Sequence, residues 1–208
     1  MTSIHTKDVP SRPIVFTIGH SNQTRESFLD LLLRFCVNIL IDTRSIPRSR
    51  AAPQFNKPTL KTALLSIGLS YVHKGKALGG RPKSAKFYDQ DGHVRYDLIA
   101  QTQDFRTAVA SIERGAQRGL RIALMCAEEN PIYCHRRLLI GRVMLDHGIQ
   151  IEHIRRNGTL IADEELVRQE RRELADHQVT IFDHDGNTAW RSTQSVSRRS
   201  RPESSSNA

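Results

Sequence analysis

The chain has 208 residues, of which 38% are hydrophobic and 25% are charged, the composition of one globular domain with tails. No apolar run is long enough to span a bilayer, and the polar N-terminus lacks the apolar core of a secretory signal. We therefore expect a cytoplasmic protein with no membrane partner. The three cysteines are too few for a disulfide framework, and Cys36, at the end of a helical segment, is predicted to be buried.

Short apolar runs alternate along the chain with segments of helical periodicity. We predict strands at 13–19, 37–42, 69–73, 121–126 and 149–155, and helices at about 24–36, 58–67, 102–118, 135–147 and 161–177. Asn22 or Thr24 is the predicted N-cap of the first helix. The alternation predicts an α/β fold, a single three-layer domain with a mostly parallel sheet flanked by helices. We place this domain at 13–178, between a flexible N-terminus at 1–12 and a Ser- and Arg-rich disordered tail at 179–208.

Basic residues are concentrated in the middle of the chain. Between Asp42 and Tyr96 there are eleven Lys or Arg residues against three Asp, an excess of eight, which is most of the net charge of +9. This concentration predicts an anionic partner, a nucleotide or a nucleic acid, although a solvated basic face explains it equally well.

Four polar segments follow predicted strands and are expected to meet. The carboxyl ends of parallel strands lie along one edge of a sheet, where ligands bind in such folds. The segments are GHSN at 19–22, DTRSIPRSR at 42–50, HKGKALGGR at 73–81 and CAEENPIYCHRR at 126–137. We predict that they line a common cleft.

Individual residues in these segments have more than one interpretation. Asp42 ends an apolar strand, and a buried carboxylate needs a partner, so a structural pair with Arg44 or Arg48 and a catalytic role both remain open. Gly80 lets the backbone approach a ligand or form a turn. Arg81 beside it is suited to bind a phosphate or carboxylate bidentately.

The loop between Cys126 and Cys134 allows three chemistries. Cys126 follows a strand and precedes a helix, so a nearby arginine such as Arg136 would favour its thiolate and make it a nucleophile. Phosphatase loops carry an arginine six positions after the cysteine, whereas here Ile132 and Ile140 occupy those positions. A tyrosine-phosphatase mechanism is therefore disfavoured, while sulfur transfer remains open.

Metal binding and simple packing are the other two interpretations of this loop. Cys126, Cys134 and His135 offer three zinc ligands, with His20 or Asp42 as a fourth, but their spacing is not that of structural zinc sites. The predicted site therefore assigns no metal. In the third interpretation both cysteines are small buried hydrophobes.

Several unusual motifs occur in a fixed order between about Phe16 and Ile154. They are TIGHSN, IDTRSIPRSRAAPQFN, YVHKGKALGGRP, CAEENPIYCHRR and GIQIEHI, and together they resemble the domain of unknown function 488 family. The positions that match the family's characteristic ones are His20, Ser21, Asp42, Arg44, Pro47, Ser49, Arg50, Phe55, Leu78 to Arg81, Cys126, Glu128, Cys134, His135 and Arg136. The resemblance implies a compact α/β fold with these residues around one pocket, and it implies no particular reaction or cofactor.

The leading hypothesis is an enzyme that acts on a phosphate-bearing substrate, a nucleotide or a nucleic acid. The predicted binding residues are Ser21, Arg44, Arg50, Gly80, Arg81 and Arg136. The predicted catalytic residues are Asp42 or Glu128 as acid or base, His20 or His135 as a polarising group, and Cys126 as nucleophile or pocket wall. Two alternatives are a non-catalytic nucleic-acid-binding module and a thiol-based sulfur-transfer or redox protein.

Overall fold

The computed structural model describes residues 12–176 and 190–195. The strands are β1 (Ile14–Gly19), β2 (Ile39–Asp42), β3 (Ser70–His73), β4 (Ile122–Cys126), β5 (Gln150–Ile154) and β6 (Leu160–Ala162). The α-helices are α1 (Arg25–Arg34), α2 (Lys57–Ser66), α3 (Gly75–Leu78), α4 (Tyr96–Ala100), α5 (Gln103–Gln117), α6 (Arg142–Asp146) and α7 (Asp163–Asp176). Short 3₁₀ helices lie at Pro53–Phe55 and Ala85–Phe87, and a π-helix at Arg136–Gly141 leads into α6.

The six strands form one sheet in the order β3-β2-β4-β1-β5-β6. Every neighbouring pair is parallel except β5 with β6, which is antiparallel. The prediction of an α/β fold with a mostly parallel sheet is therefore confirmed. This order places the carboxyl ends of β1, β2 and β4 side by side, which is where three of the four polar segments begin.

Apolar layers cover both faces of the sheet. In β4, Ile122 and Leu124 pack into a core with α5, while Ala123 and Met125 pack into a second core with α1 and α2. Successive side chains of a strand point to opposite faces, so continuous burial of all five residues of β4 requires cover on both sides. The predicted three-layer arrangement is thus confirmed.

The end of α1 differs in one respect from the prediction. Thr24 caps the helix by accepting a hydrogen bond from the Ser27 backbone NH at 3.2 Å. Cys36 lies beyond the helix in the turn toward β2, with a positive φ of 50°. It is exposed, so the prediction that it is buried was wrong: the turn carries its side chain off the buried face of α1.

The start of the last predicted helix is also corrected. Residues 160–162 form β6, and α7 begins only at Asp163. A tight turn reverses the chain after β5, where Arg155 NH donates to the Thr159 carbonyl and Gly158 adopts a φ of 80°. The turn returns the chain as an antiparallel edge strand, a pairing that helical periodicity alone did not reveal.

Part of the predicted tail contacts the domain that was predicted to end at residue 178. Most of the predicted tail and the first eleven residues lie outside the described residues, but 190–195 pack against the body of the domain. The Trp190 indole NH donates to the Leu138 carbonyl at 2.7 Å, and the Arg142 guanidinium lies 4.7 Å from its ring centre. A single large aromatic side chain thus anchors a segment that is otherwise polar.

Within the described residues, none of the helices is both long enough and apolar enough to cross a membrane.

Candidate functional site

The four polar segments meet at the carboxyl edge of the sheet around a cavity of about 390 Å³. Its lining residues are His20, Arg44, Ser45, Ile46, Arg48, Ser49, Gly80, Arg81, Tyr96, Cys126, Ala127, Glu128, Tyr133, His135, Ser192 and Gln194. Every segment contributes at least one residue, as the convergence argument predicted. Ser21, Asp42, Arg50 and Arg136, also predicted as site residues, do not line it.

Asp42 lies behind the cavity in a buried ion pair with Arg44. Its carboxylate accepts hydrogen bonds from Arg44 Nε at 2.9 Å and Nη2 at 2.6 Å, and from the Tyr71 hydroxyl at 2.7 Å. Asp42 is fully buried and Arg44 is 6% exposed. Burial, and then the bond to Asp42, raise the pKa of Tyr71, so it remains a neutral donor. Of the two interpretations of Asp42, the structure contains the pair with Arg44.

His20 extends this network without a free ring nitrogen. Its Nδ1 donates to the Ser21 carbonyl at 2.8 Å, and its Nε2 accepts from Arg44 Nη1 at 3.1 Å. The ring stacks on Phe55 with centroids 4.4 Å apart. Burial lowers the pKa of His20 to about 4, with the Arg44 charge acting in the same direction. His20 is therefore neutral near pH 7, and Ser21 contributes its backbone carbonyl.

Arg136 is fully buried beneath the loop that links Cys126 to Cys134. Its guanidinium donates to the main-chain carbonyls of Glu128 and Glu129 and to the Thr17 hydroxyl. Its Nη1 also lies 2.9 Å from Cys126 Sγ. Arg136 thus fixes the shape of the loop from inside the protein and is not available at the cavity surface.

Two cysteines and a histidine converge at the base of the cavity. The sulfurs of Cys126 and Cys134 are 2.8 Å apart, and Cys134 Sγ is 3.7 Å from His135 Nδ1. Cys126 Sγ also accepts from the Glu128 backbone NH at 3.3 Å. Burial raises the pKa of the Cys126 thiol well above its ordinary value, and so does the bond to Cys134, whereas Arg136 lowers it. The ligand atoms of these three residues and Glu128 lie within 4.8 Å of one another.

His135 is held in one orientation by its neighbours. Its Nε2 lies 3.1 Å from the Thr43 hydroxyl, which itself donates to the Met125 carbonyl at 2.8 Å. A Cβ atom on Gly80 would lie only 2.7 Å from the His135 ring, so Gly80 is required for close packing. Gly80 was predicted to let the backbone approach a ligand or form a turn, and the close approach that the structure shows is to a histidine of the same chain.

Two arginines at the cavity remain unpaired within the described part of the chain. Arg48 and Arg81 are exposed, and neither guanidinium has an ion-pair or hydrogen-bond partner among residues 12–176 and 190–195. The Arg81 backbone NH donates to Ser45 Oγ at 3.0 Å, which ties its loop to the segment after β2. Arg50 is also exposed but does not line the cavity.

Sequence reasoning missed several lining residues. Ser45 lies within the segment 42–50 that was predicted to line the cleft, so its position after β2 was an available signal. Ser192 and Gln194 come from the predicted tail, where the only sequence signal was Trp190, the single tryptophan of the chain. The segment reaches the cavity because its main chain bonds to the body of the domain. The Trp190 carbonyl accepts from the Tyr96 backbone NH, and the backbone of Arg191 forms an antiparallel β-bridge with the backbone of Arg95.

Comparison with known proteins gives one match. The model of the family described as Domain of unknown function DUF488 matches residues 24–143, more than half of the chain. No curated protein and no solved structure matches the chain significantly. The matched region contains the segments after β2, β3 and β4, and it lies inside the range that the sequence motifs indicated. The chain therefore belongs to the DUF488 family.

Proposed function

We propose that the chain is an enzyme that acts on a phosphate-bearing substrate, a nucleotide or a nucleic acid, in the strand-end cavity. The observation that supports this proposal is the placement of unpaired Arg48 and Arg81 in the same cavity as the exposed carboxylate of Glu128. The first two supply anion binding and the third supplies acid–base chemistry.

The two free guanidiniums are the best anion ligands of the cavity. Arg44 is occupied by Asp42, and Arg136 by backbone carbonyls, so their charges are already in use. Arg48 and Arg81 are exposed and have no partner in the described chain, and arginine binds phosphate oxygens in bidentate geometry. We assign the substrate phosphate to these two residues.

The surroundings of Arg81 suit a substrate larger than a phosphate ion. A second cavity of about 590 Å³ shares Ser45 and Arg81 with the first and is also lined by Lys83 and Phe87. Tyr133, which is 58% exposed, offers an aromatic face at the first cavity. Aromatic rings beside cations bind nucleobases and their phosphates, which favours a nucleotide or a single strand.

Glu128 is the candidate acid or base. Asp42 is fully buried and bonded to Arg44 and Tyr71, and His20 has both ring nitrogens engaged. Glu128 is exposed and lines the cavity, and none of its carboxylate oxygens has a hydrogen-bond partner in the described chain. It is therefore the ionisable group best placed to exchange a proton with a bound substrate.

Binding to fluorescent single-stranded DNA and to nucleoside mono- and triphosphates tests the anion site. A bidentate contact to a charged group is worth roughly 1.5–3 kcal/mol, so Arg48→Gln and Arg81→Gln should each weaken binding by about 10- to 100-fold. Arg50→Gln is the matched control, since it removes an exposed charge from the same segment outside the cavity. Equal weakening by all three substitutions would contradict a defined site.

Turnover separates the enzyme from a binding module. Glu128→Gln should keep ligand affinity and lower the rate of product formation by roughly 100-fold or more, the usual size of an acid–base contribution. Product formation is followed by chromatography of each bound nucleotide or oligonucleotide. If the wild type binds single strands with a steep salt dependence and converts none of them, the protein is a nucleic-acid-binding module.

A further inference from the structure

We propose that Cys126, Cys134 and His135 bind a zinc ion at the base of the cavity, with Glu128 beside the fourth coordination position. Zinc prefers thiolate and imidazole ligands, and catalytic zinc sites use three protein ligands and leave one position open. The sequence did not favour zinc because the spacing is not that of a structural site, but three ligands with an open position need no second pair of cysteines.

The three proposed ligand atoms and the Glu128 carboxylate lie close together. All of them lie within 4.8 Å of one another, with the two sulfurs 2.8 Å apart and Cys134 Sγ 3.7 Å from His135 Nδ1. Zinc bonds of about 2.3 Å to sulfur and 2.0 Å to nitrogen place tetrahedral ligands about 3.3–3.8 Å apart. The sulfurs therefore need to separate by about 1 Å in total, while the sulfur-to-nitrogen distance already fits.

The hydrogen bonds of His135 favour the tautomer that a metal ligand requires. The Thr43 hydroxyl donates its hydrogen to the Met125 carbonyl, so its oxygen can only accept a hydrogen bond from His135. The ring hydrogen of His135 is therefore on Nε2. The lone pair of Nδ1 is then directed toward Cys134. Metal-binding histidines are oriented in this way, by a bond from the second ring nitrogen to a neighbouring oxygen.

The buried Arg136 requires negative charge next to it. In the described residues no carboxylate forms an ion pair with it, and its contacts are Thr17, two main-chain carbonyls and the sulfurs of Cys126 and Cys134. Zinc would hold the two cysteines as thiolates and so place negative charge directly against the Arg136 guanidinium. With neutral thiols the groups that touch this buried cation are all uncharged, and Glu128 is exposed in either state.

The ion would face the cavity. Cys126, Glu128 and His135 line it, and Cys134 lies behind them. The earlier candidates for a fourth ligand, His20 and Asp42, are both engaged with Arg44. Zinc in an open site lowers the pKa of a bound water to about 7, and Glu128 is placed to exchange its proton. This chemistry rests on the proposed function, but the zinc site itself does not.

Zinc content and affinity test the inference without any substrate. The full chain is purified, loaded with zinc and dialysed, and bound zinc is measured by elemental analysis and by competition with a chromogenic chelator. We expect one zinc ion per chain in the wild type and in Cys36→Ser, the control for loss of an exposed cysteine. Cys126→Ser and Cys134→Ser should lose it, and cobalt-loaded wild type should show thiolate-to-metal charge-transfer bands that both variants lack.

Two further variants keep the test decisive if a cysteine variant fails to fold. Thr43→Val removes the partner of His135 and should weaken zinc binding by about 10- to 100-fold while the far-ultraviolet circular dichroism is unchanged. Arg81→Gln should bind zinc like the wild type, so that failure of the zinc site and failure of the anion site are distinguishable. Substoichiometric zinc in the loaded wild type would overturn the inference. So would a Cys126–Cys134 disulfide in the purified protein, if the protein still takes up no zinc once this disulfide has been reduced; that result would indicate a thiol redox pair.

Discussion

Arg136 Nη1 donates to the sulfur of Cys126 across 2.9 Å, in a position that is entirely buried. The same guanidinium holds the carbonyls of Glu128 and Glu129, so one side chain connects the end of β4 to the loop that carries the second cysteine. Arg136 is the first residue of the π-helix, so it stands where the loop joins that helix. The arginine that sequence reasoning placed on a substrate thus organises the floor of the cavity.

Replacement of Arg136 should therefore destabilise the fold. Arg136→Met removes the donor to two partly buried carbonyls and to a buried hydroxyl, and we expect the free energy of unfolding to fall by about 3–5 kcal/mol. Urea unfolding measures this change. Arg118→Met, at an exposed arginine with no side-chain partner in the described chain, is the control and should change it by less than about 0.5 kcal/mol. A small effect of Arg136→Met would contradict the organising role.

Substitutions of Asp42 and Arg81 should have opposite effects on stability and on ligand binding. Asp42→Asn leaves the buried Arg44 without its counter-charge, so we expect a loss of about 3–5 kcal/mol in the free energy of unfolding. Arg81→Gln, at an exposed and unpaired position, should change it by less than about 0.5 kcal/mol while weakening ligand binding. Thermal and denaturant unfolding with parallel binding assays separate the two. A stable Asp42→Asn protein that binds ligand but turns nothing over would restore a catalytic role for Asp42.

The buried neutral His20 predicts a pH dependence of stability. Its pKa is about 4 in the folded chain against 6.5 as the ordinary value, so between these pH values the unfolded state binds more protons. Stability should therefore fall as the pH decreases from 6.5 to 4, by up to about 3 kcal/mol from this residue. The charged groups acting on His20 are Arg44, Asp42 and Arg136.

Unfolding of His20→Gln across the same pH range isolates this contribution, because glutamine also accepts a hydrogen bond from Arg44 and does not titrate. The difference in unfolding free energy between the variant and the wild type should change between pH 4 and 6.5 and be constant above pH 7. A constant difference throughout would show that His20 is not responsible.

Trp190 should be necessary for the 190–195 segment to reach the cavity. Trp190→Ala removes a half-buried ring, its bond to the Leu138 carbonyl and its contact with Arg142, and we expect a loss of about 2 kcal/mol in the free energy of unfolding. Trp190→Phe keeps a ring and should lose less. Denaturant unfolding distinguishes these outcomes. Equal stability of wild type and Trp190→Ala would mean that the segment does not contribute to the domain.

The sequence alone predicted most of the elements and the convergence of the four polar segments at one sheet edge. Apolar runs and helical periodicity are local signals, so five strands and the main helices could be predicted within a few residues. Because the strands are parallel, their carboxyl ends share an edge, and the convergence of the four polar segments followed from that rule. The short β6 carries no such signal, since it depends on a turn at Gly158 and on a partner strand.

The tertiary structure decided what each charged residue does. The sequence does not distinguish the four arginines near the cavity. In the structure Arg44 and Arg136 are buried with internal partners, whereas Arg48 and Arg81 are exposed and unpaired in the described chain. Arg136 binds main-chain carbonyls of the loop after β4, and Arg44 binds the carboxylate of Asp42 at the end of β2. The energy of a charge depends on its burial and on partners distant in sequence, which only the folded chain brings together.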